Sequence, residues 1–222
     1  NSNINHYFIN NKSDLSIIYV DEIESDKEFK KMNNLFQHLK QYHSILKERY
    51  INGVLESAYK KGKWWALIHT VPMDIIINSK IVCPHRSKSN VFAYSESETY
   101  ASADVYYISQ NKKEYSLKFI LSILNSKLIY FWLYWMGKKK GDLLELYFEP
   151  LQFIPIKKAT ENEQKPFITI VDKILAITQS NDYLQNQSKQ AKVKEYEKEI
   201  DRMIYELYGL TPEEIKTVEG VK

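Results

Sequence analysis

Residues 123–156 read ILNSKLIYFWLYWMGKKKGDLLELYFEPLQFIPI, an aromatic and aliphatic run that stops at a methionine, a glycine and three lysines. A membrane, a polyanion or a plain hydrophobic core would each use part of this junction. The membrane reading fails on length. Lys118, Asn125 and Lys127 interrupt the apolar run, and its uncharged part, residues 128–137, is half of the roughly 20 residues that a span requires. A core helix accounts for it better: Leu117, Ile120, Leu121, Leu124, Leu128, Phe131 and Trp135 recur at steps of three and four. The spacing predicts one helix over about 116–136 with its aromatics in the core. A Gly137–Gly141 loop follows, then short extended pieces at 144–148 and 153–156.

Upstream, LSIIYV at 15–20 has the β-branched and aromatic content of a strand. Phe29, Met32, Leu35, Phe36, Leu39, Tyr42 and Leu46 then follow helical spacing, predicting one helix from about 26 to 49 with Ser25 or Asp26 as N-cap. Asn52-Gly53 and Lys61-Gly62 punctuate a connecting loop. WWALIHT, DIIINSKIVCP, NVFAYS and ASADVYYIS read as four short strands separated by polar turns. Downstream, KKATENEQK reads as a polar linker, and Pro166 suits the first turn of a helix carrying Phe167, Ile168, Val171, Ile174 and Leu175. A longer helix is predicted over 187–208, with Val193, Tyr196, Ile200, Ile204 and Leu207 on one stripe. Gly209 ends it, and Thr211, Pro212 and Glu214 stand in capping-box order. The expected fold is α+β: a mixed or antiparallel sheet with packed helices over residues 1–158, then a helical hairpin over 159–222. The hairpin's narrow stripes either pack on the preceding domain or pair with another helix.

The composition is that of a globular chain: 222 residues, 44% of them hydrophobic, are enough to bury a sizeable core. A formal charge of +3 permits a polyanionic partner without requiring one. The single cysteine, Cys83, excludes an internal disulfide and a Cys-rich zinc site and fits a reducing cytoplasm; beside Pro84 it reads as a small buried hydrophobe. A start at Asn1, with no leader after it, is expected of a fragment of a longer chain.

Catalytic patterns are scarce. There is no glycine-rich phosphate loop, GxSxG elbow or HExxH pair. Asp74 followed by Asn78-Ser79-Lys80 imitates the spacing of a metal-dependent nuclease, but Asn78 cannot supply the second anionic oxygen that a hard divalent cation wants. His6, His38, His43, His69 and His85 show no ligand spacing. No catalytic or metal-binding residue is assigned.

Two basic loops begin where apolar elements end. Residues 84–90, PHRSKSN, carry the donors that read base edges: His85, Arg86, Lys88 and Asn90, with the Ser87 and Ser89 hydroxyls suited to phosphates. Lys138, Lys139 and Lys140 suit sequence-independent phosphate contact, and the flanking glycines would let backbone approach closely. Two ordinary solvated loops would have the same composition.

The collinear order LKQYHSILKERY, KGKWWAL, SKIVCP, a polar loop, VFAYS, ASADVYYI, YSLKFILSILNSKLIYFWL, a glycine and LQFIPI resembles the TaqI-like C-terminal specificity domain over about residues 30–156. This is the target recognition domain of type IIG restriction-modification enzymes and related adenine-N6 DNA methyltransferases. The tail IDRMIYELYGLTPEEI resembles the helical end that such proteins often carry. The resemblance implies one wall of a DNA cleft. The S-adenosylmethionine site, with Mg as a second candidate ligand, and the Asn-Pro-Pro-Tyr motif that engages a flipped adenine would lie in a separate N-terminal domain. No Asn-Pro-Pro-Tyr occurs here, so the resemblance implies a non-catalytic module with no cofactor of its own, partnered by double-stranded DNA and a methyltransferase or nuclease domain, and no membrane. The competing readings are a protein-interaction module docking through its helical tail, a specificity subunit of a type I-like or phage-defence system, and a hydrolase using Asp74 and Lys80.

Overall fold

The computed structural model describes residues 3–10, 16–20, 23, 25–51, 62–67, 70–110 and 114–220. Two compact units result, one of residues 1–12 and 73–222, the other of residues 13–72.

In the smaller unit the predicted helix over 26–49 is three: α1 (Asp26–Lys31), α2 (Asn33–Lys40) and α3 (His43–Ile51). Of the two cap candidates Ser25 serves, its hydroxyl accepting the Glu28 N–H at 3.2 Å. The ladder breaks at Met32, whose backbone leaves the helical region at φ −83° and ψ 61°, and again at Gln41. Apolar periodicity runs across both breaks, which is why the pattern reads as one helix. Asn33 and Asn34, poor helix formers whose side chains compete for backbone groups, mark the first. Phe29, Trp64 and Trp65 are buried together, with the Phe29 and Trp65 ring centroids 4.5 Å apart. The expected strand LSIIYV is not one: residues 16–20 pair with no strand, and Tyr19 instead uses its hydroxyl to bond the Val71 N–H and C=O. Residues 64–67 of WWALIHT are also not a strand, because both tryptophans turn into this aromatic cluster. Asn52, Gly53, Lys61 and His69 lie outside the described residues.

The larger unit confirms the α+β class. DIIINSKIVCP divides into helix α4 (Met73–Ile77) and strand β1 (Lys80–Pro84), followed by β2 (Arg86–Ser87), β3 (Ala93–Ser95) and β4 (Val105–Ser109). The first sheet is antiparallel in the order β3-β1-β4, with Ile81 opposite Tyr94 on one side and Ile108 on the other. Residues 3–10 add an edge beside β3, where Tyr7 exchanges backbone bonds with Phe92 and Tyr94.

The predicted helix over 116–136 is bent by 64° into α5 (Leu117–Leu124) and α6 (Lys127–Met136). Asn125 and Ser126 supply the break. The Asn125 amide exchanges two bonds with the Phe92 backbone, and the Ser126 hydroxyl caps α6 by accepting the Ile129 N–H. The break resets the helical phase, so Ile129 and Leu133 are the fully buried residues of α6; Leu128 packs half-buried against the core as expected, whereas Phe131 and Trp135 are not part of it. Trp135 is 64% exposed, a correction to its expected core position. No single helix among the described residues is long and apolar enough to cross a membrane.

Strands β5 (Lys139–Lys140) and β6 (Leu143–Glu145) and helix α7 (Phe148–Leu151) follow, so the extended piece expected at 144–148 begins as a strand and ends in a helix. Residues 153–156 form no strand. Helix α8 (Glu161–Thr178) starts five residues before Pro166, inside the expected linker, because Thr160 and Glu163 make a reciprocal capping box. The predicted helix over 187–208 is α9 (Gln187–Tyr208); Gly209 ends it in the left-handed conformation, and Thr211 caps α10 (Pro212–Glu219) as expected. The tail stripes turn inward. Phe167, Ile170, Val171 and Ile174 of α8 and Val193, Ile200 and Ile204 of α9 share one core with Ile81, Phe92, Phe119 and Leu121.

Candidate nucleic-acid interface

Strand β1 is wholly buried, and the chain leaves it through His85 directly into β2. There it joins a second antiparallel sheet, ordered β2-β6-β5, in which Arg86 stands opposite Glu145, Ser87 opposite Leu144, and Lys139 opposite the same Leu144. The two basic segments, some fifty residues apart in sequence, therefore become the outer strands of one three-stranded ribbon. Leu144 and Leu146 anchor it in the core, while Arg86, Lys88, Lys138, Lys139 and Lys140 remain exposed.

Both flanking glycines have local reasons. A Cβ at Gly137 would collide with the Leu133 carbonyl oxygen at the end of α6. Gly141, at φ +61°, is the first residue of the two-residue β5–β6 turn, a position that favours glycine. The turn thus aims Lys139 and Lys140 outward on a short, defined hairpin.

The charged groups are arranged around Glu145, which is nearly buried. Arg86 Nε donates to its Oε1 at 3.0 Å, and Lys138 Nζ lies 4.0 Å from its Oε2. Lys138 also donates to the Tyr147 hydroxyl and lies 3.6 Å from Glu149; the Tyr147 bond, with those carboxylates, pushes its pKa up. Lys139 sits over the Tyr134 ring, 3.7 Å from its centroid, and Tyr134 meets Trp135 edge-on at 5.2 Å. His85 is half-buried, its ring held edge-on to Tyr147 at 5.2 Å and Tyr106 at 5.7 Å. Lys88 and Lys140 enter no ion pair among the described residues. Ser87 accepts the Ser89 N–H at 3.4 Å, leaving both hydroxyls half-exposed beside Lys88.

Asn90 is corrected. It is buried, and its amide donates to the Leu124 and Ser126 carbonyl oxygens at 2.7 and 2.9 Å, so it holds the loop to the α5–α6 bend and has no donor left for a base. Sequence reasoning overlooked Glu145, Tyr147 and Tyr134, the residues that fix the basic side chains. The alternation of 143–147 contained a signal for the first two, but their partners depend on strand pairing.

The Asp74/Lys80 set is not assembled as a metal site. Asp74 lies on α4, and Lys80 is buried beneath it, its ammonium donating to the Ile76, Asn78 and Ser97 carbonyl oxygens. Burial pushes the Lys80 pKa down, with nearby Glu98 opposing. Lys80 thus satisfies the carbonyl end of a short helix. Cys83 is also buried, its thiol pushed up to about 12 by desolvation.

A profile of the TaqI-like C-terminal specificity domain matches residues 2–156, and the chain belongs to that family. It is similar to the type II methyltransferase M.HindII of Haemophilus influenzae, 29% identical over 146 residues, which are 63% of this chain and 27% of that protein. It is also similar to the type II methyltransferase M.HincII of Haemophilus influenzae, 27% identical over 150 residues, or 64% of this chain and 28% of that protein. The matches thus cover about a quarter of these curated relatives.

Proposed function

Taking membership of the specificity-domain family as the premise, we propose that this chain is a sequence-specific double-stranded DNA recognition module of a restriction-modification enzyme or adenine-N6 DNA methyltransferase, non-catalytic by itself. The observation that carries the reading is the β2-β6-β5 ribbon, which brings both basic segments into one sheet as its outer strands, with Arg86 and Lys140 on the side of Glu145 and Leu143 and with Ser87 and Lys139 on that of Leu144. The major groove admits two β-strands side by side, and guanine O6 and N7 there accept from arginine or lysine donors such as those of β2 and the residues after it. His85, Arg86 and Lys88 are the base-reading side chains. Lys138, Lys139, Lys140, Ser87 and Ser89 engage phosphates, whose contacts set register and affinity but carry little sequence information. A parent's N-terminal part would hold S-adenosylmethionine and supply the chemistry, with Mg where that parent also cleaves DNA.

The tail as a free docking arm is the weaker reading, because the apolar stripes of α8 and α9 are already spent on the chain's own core. A deletion of residues 160–222 is expected to unfold the domain rather than merely release a partner.

The test is duplex binding over a salt series, after target selection from a random pool. Arg86→Ala should cost about 1–3 kcal/mol on the selected target and little on random duplex, whereas Lys139→Ala should weaken both alike and reduce the salt slope by about one. Equal losses on target and random DNA for both variants would sink this division of roles.

A further inference from the structure

The face assigned to DNA contains an acidic group that works against affinity for any polyanion. Glu145 lies between Arg86 and Lys138, and its carboxylate is nearly buried. A buried carboxylate is costly unless it is paired and hydrogen-bonded, and here its Oε1 takes the Arg86 Nε proton. The antiparallel register sets the two residues directly opposite, so the pairing is dictated by the backbone and not by chance contact of long side chains. Arg86 donates through Nε alone: among the described residues neither terminal nitrogen makes a hydrogen bond. The guanidinium is rigid and planar, so fixing Nε against strand β6 also fixes the direction of the two terminal nitrogens. A bidentate contact to guanine O6 and N7 requires two such donors in a set plane.

We propose that Glu145 is a positioning residue for base readout: it holds Arg86 by Nε so that the terminal guanidinium nitrogens read a guanine in the target, at the expense of general DNA affinity. The inference rests on the DNA-recognition reading above. It predicts effects of opposite sign that a merely structural residue would not produce. Removing the carboxylate relieves repulsion of phosphates while freeing Arg86 to leave its reading orientation.

The experiment uses the whole chain and three kinds of duplex: the selected target, a set in which each guanine of that target is replaced in turn by 7-deazaguanine, which lacks the N7 acceptor, and a random sequence. In the native protein one replacement should weaken binding by about tenfold, within the range of a good bidentate base contact. Glu145→Leu should bind random duplex at least as tightly as the native protein, lose most of its preference for the target and become insensitive to that replacement. Glu145→Gln keeps an oxygen acceptor without the charge; it should bind random duplex more tightly and retain part of the guanine sensitivity. It also serves as the deciding variant if the leucine protein does not fold. Parallel loss of target and random binding in a folded Glu145 variant, or full guanine sensitivity in Glu145→Leu (in Glu145→Gln if the leucine protein does not fold), would overturn the positioning role. If Arg86→Ala abolishes target preference while the Glu145 variants keep it, only this inference falls. A target preference untouched by Arg86→Ala would instead overturn the assignment of base reading itself.

Discussion

The two three-stranded sheets of the larger unit are joined through a single residue, His85, yet they put their side chains to opposite uses. In β3-β1-β4 the central strand is buried at all five positions and its register partners are uncharged, Tyr94, Tyr106 and Tyr107 among them. In β2-β6-β5 the strands are two or three residues long, and only the middle one enters the core while arginine and lysines occupy the outer two. A strand buried on both faces has no freedom to present chemistry. A short ribbon held by two leucines exposes its outer strands, and so the second sheet is the one free to make the proposed DNA contacts.

The largest expected effect breaks the support. Phe119 on α5 is fully buried in the shared core, and Phe119→Ala should destabilise the chain by about 3–5 kcal/mol in urea unfolding, with DNA binding lost in step with the folded fraction. Binding that survived unfolding of the first sheet would show that the basic ribbon folds without it.

Asp201 on α9 tests a charge on the supporting side. Its carboxylate accepts the Lys127 N–H at 2.8 Å at the start of α6, and burial pushes its carboxyl up to about 6 from an ordinary 3.8, the Lys127 bond opposing. A raised carboxyl pKa means that the native state binds the proton more readily. Asp201 therefore favours folding as pH falls from about 6 towards 4 and costs stability above 6. Asp201→Asn, whose amide oxygen can still accept that N–H, should raise stability by about 1–3 kcal/mol at pH 8, with the gain vanishing near pH 4. Denaturant midpoints across that pH range check it; a gain independent of pH would refute the assignment.

Asn90 sharpens the boundary between the two sheets, since it lies in the basic segment but bonds the α5–α6 bend. Asn90→Ala should cost about 1–3 kcal/mol of stability by leaving buried carbonyl groups unpaired, while target preference per folded molecule is unchanged. A loss of preference without loss of stability would return Asn90 to the reading surface.

Much of the tail was legible because its signals are local. The extent of α9, the Gly209 stop and the Thr211 box involve groups within four residues of one another. The start of α8 was equally local and was misplaced because Pro166 outweighed the Thr160–Glu163 box, although Pro166 stands five residues after Glu161, past the first turn. The strand readings at 16–20 and 64–67 failed for a different reason: β-branched and aromatic residues suit a strand, but here Trp64 and Trp65 found a better partner in Phe29. Within the candidate site, the basic residues were visible in the sequence, whereas the carboxylate and rings that orient them were not.

The sequence by itself determined the α+β class, the family resemblance, the core of α5, the caps of the tail and the presence of two basic segments, because composition, period and capping act over a few residues. Only the tertiary structure decided that those segments are outer strands of one ribbon, that Asn90 faces inward, and that Arg86 meets Glu145. These depend on strand register between residues 59 positions apart. A one-residue slip in that register would move every side chain to the opposite face while leaving the local sequence pattern unchanged.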